Sequence, residues 1–65
     1  MKKDADHFQV GDRINFVLPS GSIEEGIVKA VFQTTAGTRL NVAFGKDLTA
    51  TVGARQVIGV LPPLN

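Results

Sequence analysis

Short runs of alternating residues, separated by glycine and proline, constrain the fold of this chain more than any other feature. A large apolar side chain occupies every second position of residues 14–18 and again of residues 40–44. A period of two places successive side chains on opposite faces of a β-strand. Residues 23–33 contain four β-branched apolar residues and one glycine, which favours a long strand over a helix. The chain is therefore predicted to fold from strands.

Turn residues recur between these runs and divide the chain into five strands. A three-residue loop at residues 45–47 is expected, because this register pairs Phe44 with Leu48 and keeps apolar side chains opposite each other. Gly26 is expected to mark a bulge or a tight bend. Residues 53–56 read as one 3-10 turn before the last strand. The predicted fold is all-β, a small, strongly bent, five-stranded antiparallel barrel.

The residues on the inward phase of the strands predict the hydrophobic core, and the first residues of the chain lie outside it. Residues 1–7 are polar and aperiodic and are expected to be a disordered tail, and residues 8–63 are expected to form a single domain. The predicted core consists of Ile14, Phe16, Val28, Ala30, Phe32, Leu40, Val42, Phe44, Leu48 and Val57.

Composition excludes several kinds of site. The chain has no cysteine and one histidine, so disulfides and thiolate metal sites are excluded, and we expect neither a metal nor a cofactor. Glu24 and Glu25 are neighbours in a strand and face opposite ways, so they cannot share a catalytic site. No catalytic residue is assigned, and the sequence favours a protein that is not an enzyme. No apolar run is long enough for a membrane span or a leader, so a cytoplasmic location without a membrane partner is expected.

Charge is distributed unevenly along the chain. Residues 1–25 carry a net charge of −2, and residues 26–65 carry +3. Cations and hydrogen-bonding side chains on the outward side of the later strands could contact a nucleic acid. An ordinary solvated face is the simpler explanation of these residues, and the lack of tyrosine and tryptophan weakens a stacking role. The candidate nucleic-acid residues are Lys29, Arg39, Asn41, Lys46, Thr49, Thr51 and Arg55.

Self-association is the other expectation. A chain of 65 residues without a disulfide or a metal buries a small core, and oligomerisation adds stability to such chains. Val17, Ile27 and Val31 fall on the outward phase and are the candidate interface, unless curvature of the second strand buries them on a second face of the barrel. The predicted function is a non-catalytic binding or assembly module whose partner is protein, chiefly a second copy of itself.

The order of motifs resembles that of SH3-like barrels. Residues 10–14 read Val-Gly-Asp-Arg-Ile, and residues 25–28 read Glu-Gly-Ile-Val after a glycine-containing loop. The layout is also similar to the plasmid-encoded trimethoprim-insensitive dihydrofolate reductases, in which four barrels surround a pore lined by Val-Gln-Ile-Tyr. Residues 49–52 read Thr-Ala-Thr-Val instead, so this chain would be a divergent relative of that family. Leu18, Gly21 and Gly26 resemble the spacing of Sm-like RNA-binding proteins, which implies weak nucleic-acid binding as an alternative.

Overall fold

Five strands and one short 3-10 turn make up the regular structure of the computed structural model, which describes residues 8–62. The predicted tail at residues 1–7 and residue 63 lie outside the described residues. In chain order the elements are β1 (Arg13–Val17), β2 (Ile23–Thr34), β3 (Gly37–Phe44), β4 (Leu48–Gly53), the 3-10 turn (Ala54–Gln56) and β5 (Val57–Leu61).

All strands belong to one antiparallel sheet with the order β4-β3-β2-β1-β5. The prediction of an all-β, five-stranded antiparallel fold with one 3-10 turn before the last strand is confirmed. No hydrogen-bonded ladder joins β4 to β5 within residues 8–62, so the sheet is not closed. The two edge strands β4 and β5 are therefore each paired on one side only.

The β3–β4 hairpin has the predicted register. Phe44 pairs with Leu48, and Leu40 pairs with Val52 at the other end of the hairpin. Asp47 has a φ of 65°, the left-handed conformation that aspartate tolerates better than most residues. Three residues therefore connect the strands, as expected from the opposition of apolar side chains.

A β-bulge in the middle of β2 changes which side chains face inward. The register shifts between Val28 and Ala30, so the extra residue is Lys29 and the predicted bulge at Gly26 is wrong. Beyond the bulge the phase is reversed, and Val31 lies opposite the buried Leu40. Ala30 pairs with the exposed Asn41 and Phe32 pairs with Arg39, so neither belongs to the core.

Gly26 has a different role, which is to let two strands come close together. A Cβ atom at this position would lie 2.6 Å from both the Ala43 carbonyl oxygen and Cγ1 of Val42. Gly26 is paired with Phe44, whose ring meets the ring of Phe16 edge to face at a centroid distance of 5.5 Å. The missing side chain thus gives space to the neighbouring strand and to an aromatic pair.

The core lies on one face of the sheet. Phe44 and Val57 pack against it as partly buried residues, in agreement with their inward phase. Leu48 is 53% exposed at the start of edge strand β4, so its predicted place in the core is wrong. Phe8 and Val52 are buried although the sequence analysis did not include them. The buried apolar residues are Phe8, Ile14, Phe16, Val28, Leu40, Val42 and Val52.

Candidate functional site

The outward face of the β3–β4 hairpin holds the polar residues that strand alternation assigned to it. Asn41 lies opposite Thr51, and the Thr51 hydroxyl donates a hydrogen bond of 2.9 Å to Oδ1 of Asn41. Arg39 lies on the same side, opposite Gly53. Thr49 is two positions before Thr51 on β4 and therefore shares its face. The four polar residues form one continuous strip, while their binding to nucleic acid stays a prediction.

The bulge in β2 adds a cation and an aromatic ring to this strip. Lys29 lines a shallow concavity together with Asn41, Thr49 and Thr51. Phe32 is 39% exposed and lies directly opposite Arg39. We call this surface the basic face, and it consists of Lys29, Phe32, Arg39, Asn41, Thr49 and Thr51.

A second concavity, of about 580 Å³, lies where the basic face meets the 3-10 turn. Arg39 and Arg55 both line it. The side chain of Gln56 holds the turn in place: its Oε1 accepts a hydrogen bond of 2.8 Å from the Gly53 N–H, and its Nε2 donates one of 3.1 Å to the Val17 carbonyl. The turn that carries Arg55 is thus tied to β1 and positioned beside Arg39.

The cations near the basic face are not neutralised by acidic side chains. Lys29, Arg39, Lys46 and Arg55 form no ion pair with any residue between 8 and 62. Lys46 lies in the β3–β4 turn beside Asp47, which is the only acidic residue in the sequence after Glu25. By contrast, Nε of Arg13 on β1 lies 2.6 Å from Oε2 of Glu25. Positive charge therefore concentrates around the β3–β4 hairpin and the neighbouring part of β2.

The edge strands form a second candidate surface. Neither β4 (Leu-Thr-Ala-Thr-Val-Gly) nor β5 (Val-Ile-Gly-Val-Leu) contains a charged residue or a proline. On β5, Ile58 is 56% exposed and Val60 is 38% exposed. Charges and prolines are the usual devices that keep an edge strand from pairing with another chain. We call Ile58, Val60 and the unpaired backbone beside them the β5 edge.

The predicted interface residues do not form one outward surface. Val17 and Ile27 are half-buried, and they stay candidates for an interface. Val31 packs against the core, so the prediction that it points outward is wrong. The cause is the bulge at Lys29, which reverses the phase of the residues that follow it.

Within residues 8–62 the structure contains neither a cluster of metal-binding side chains nor a helix that could span a membrane. No group of three or more histidine, aspartate or glutamate side chains in residues 8–62 could hold a metal ion. Glu24 pairs with Phe16 and Glu25 with Asn15, so the two carboxylates face opposite sides of the sheet. In the same part of the chain, no helix has the length and apolarity needed to cross a membrane.

Comparison with other proteins adds no relative to this description. Neither a protein-family model, nor a curated protein, nor a solved structure matches the chain. The resemblance to SH3-like barrels, to Sm-like proteins and to the reductases stays an expectation from the sequence motifs, and the structure shows a five-stranded antiparallel sheet.

Proposed function

We propose that this protein is a non-catalytic binding module that assembles with a second copy of itself through the β5 edge. The observation that carries the proposal is an edge strand with no charged residue that exposes Ile58 and Val60. The strand count and the turn before β5 support an SH3-like barrel as the fold type. A cytoplasmic location stays a prediction.

The sequence of β5 suits pairing with itself. In an antiparallel pair related by a two-fold axis at Gly59, Ile58 of one copy would lie opposite Val60 of the other. Such a contact is closed and symmetric, so it ends at a dimer with one continuous sheet of ten strands. Main-chain hydrogen bonds between the two copies would pair the β5 amides that do not donate to β1.

The size of this contact predicts a weak dimer. Burying four half-exposed side chains contributes about 1 kcal/mol each, and a few main-chain hydrogen bonds contribute about as much each. Loss of translational and rotational freedom on association costs at least about 4 kcal/mol. With four such hydrogen bonds, about 4 kcal/mol remains, which corresponds to a dissociation constant of about 1 mM.

Sedimentation equilibrium across about 10 μM to about 2 mM tests the proposal, since this range spans the expected dissociation constant. The wild-type mass is expected to rise toward two chains. Ile58→Asp places a carboxylate in the paired edge and should keep the mass at one chain, because an unpaired charge is costly to desolvate. Leu48→Asp is the matched control, an equally exposed residue on the opposite edge, and should dimerise as wild type does. A wild-type mass of one chain at every concentration would contradict the proposal.

Reductase activity is not part of this proposal. Thr49 and Thr51 are exposed on the basic face, whereas Val52 is 1% exposed and cannot line a pore. Residues 49–52 therefore lack the glutamine and the tyrosine of the reductase pore, and Val52 is buried. An assay of NADPH-dependent dihydrofolate turnover distinguishes a non-catalytic binding module from a divergent reductase directly.

A further inference from the structure

We propose that the basic face binds single-stranded nucleic acid. The first argument is charge. Lys29 and Arg39 on the basic face and Arg55 in the adjacent 3-10 turn contribute three cations without an ion-pair partner between residues 8 and 62. No acidic residue lines the concavity that Lys29 shares with Asn41 or the one between Arg39 and Arg55, while Asp47 lines a further concavity with Lys29. Unpaired cations on one surface complement a row of phosphates.

The second argument is the exposed ring of Phe32. It lies on the outward face as the cross-strand partner of Arg39, whose guanidinium lies beside Gly53 on β4, so a ring and a cation flank the same strand, β3. A base that stacks on an aromatic ring while its phosphate contacts a neighbouring cation is the recurring arrangement of proteins that bind single strands. The absence of tyrosine and tryptophan therefore does not remove stacking from this surface.

The third argument is the supply of hydrogen-bond donors between the two concavities. The Thr51 hydroxyl donates its hydrogen bond to Oδ1 of Asn41. No residue between 8 and 62 accepts a hydrogen bond from Nδ2 of Asn41. Its two N–H groups are left to donate to a base edge or to a phosphate oxygen.

The exposed ring of Phe32 also favours a single strand over a duplex as the ligand. In a duplex the faces of the bases are covered by stacking, and a ring on an open sheet face cannot reach them. An acidic peptide would satisfy the cations but would gain nothing from the ring. Single-stranded nucleic acid is the ligand that uses both features.

Fluorescence anisotropy with a labelled oligothymidylate of about twelve nucleotides is the test, since sites of this kind cover several nucleotides. Wild-type protein is expected to bind, and log affinity should fall with log salt concentration with a slope of about −2, from about 0.7 for each of three cations. Duplex DNA and polyglutamate of similar length should bind more weakly. Failure to bind at low salt, or equal binding of polyglutamate or duplex, would overturn the proposal.

Matched variants separate the ring from the charge. Phe32→Leu keeps an apolar side chain and should weaken binding about tenfold without changing the salt slope. Arg39→Gln should reduce the slope by about 0.7. Arg13→Gln removes the same charge from β1 and should leave the slope unchanged. A Phe32→Leu variant that binds as wild type does would overturn the assignment to single strands. Repeating the titration with Ile58→Asp keeps this result independent of dimerisation.

Discussion

Two phenylalanines in opposite environments allow the structure to be tested at the scale of one residue. Phe16 is fully buried and contacts Phe44, whereas Phe32 projects from the outward face of β2. Phe16→Ala should lower the free energy of unfolding by about 3–5 kcal/mol, which is close to the whole stability of a domain this small. Phe32→Ala should lower it by less than about 1 kcal/mol. Thermal melts followed by circular dichroism would compare them, and loss of folding in Phe32→Ala would contradict the reversed phase of β2.

Two glycines provide a second matched pair. A Cβ at Gly26 would come within 2.6 Å of the Ala43 carbonyl oxygen, and backbone cannot move aside as a side chain can. A Cβ at Gly59 would meet its nearest neighbour, Oδ1 of Asn15, at 3.5 Å, an ordinary contact. Gly26→Ala should therefore cost about 3 kcal/mol or more, and Gly59→Ala less than about 1 kcal/mol. Equal melting temperatures for the two variants would show that Gly26 is not the point of close approach.

Strand alternation explains why one element was predictable and another was not. In the β3–β4 hairpin the apolar residues of both strands oppose each other in a single register, so the loop length and the polar strip followed from the sequence. In β2 the residues around Lys29 are compatible with either phase, because Ala30 fits inside or outside and Val31 and Phe32 are both apolar. The partner strand decides: pairing Val31 with Leu40 satisfies the core only if Lys29 bulges out. Nothing in the sequence of β2 alone marks that choice, so the place of Phe32 on the basic face was missed.

The 3-10 turn is held by one side chain, which makes it testable as an element. Gln56→Ala would leave the Gly53 N–H and the Val17 carbonyl without their present partners. The loss should lower the free energy of unfolding by about 1–3 kcal/mol. Arg55→Ala removes an exposed side chain from the same turn and should change it by less than about 0.5 kcal/mol. Urea denaturation measures both, and a Gln56→Ala variant as stable as Arg55→Ala would mean that the turn does not depend on these bonds.

At the scale of the whole molecule, an open sheet presents two surfaces of different character. The outward face of β2, β3 and β4 carries cations without an ion-pair partner among residues 8–62, and the β5 edge, at the opposite end of the strand order from β4, is apolar. Because β5 lies at one end of the strand order and β4 at the other, pairing through β5 leaves the basic face of each copy uncovered. A dimer would then present two basic faces, and two linked sites bind a long strand more tightly than one. An oligothymidylate long enough to reach both faces should bind wild type more tightly than the Ile58→Asp variant, and equal affinities would show that the two surfaces act separately.

Hydrogen exchange of the β5 backbone tests self-association through this edge most directly. Amides of β5 that do not donate to β1 are open to water in a single chain and become hydrogen-bonded in the paired form. Mass spectrometry of exchange at about 10 μM and about 2 mM, on either side of the expected dissociation constant, would follow them. We expect β5 to exchange more slowly at the higher concentration while β4 exchanges at the same rate at both. Equal exchange of β5 at the two concentrations would contradict the account.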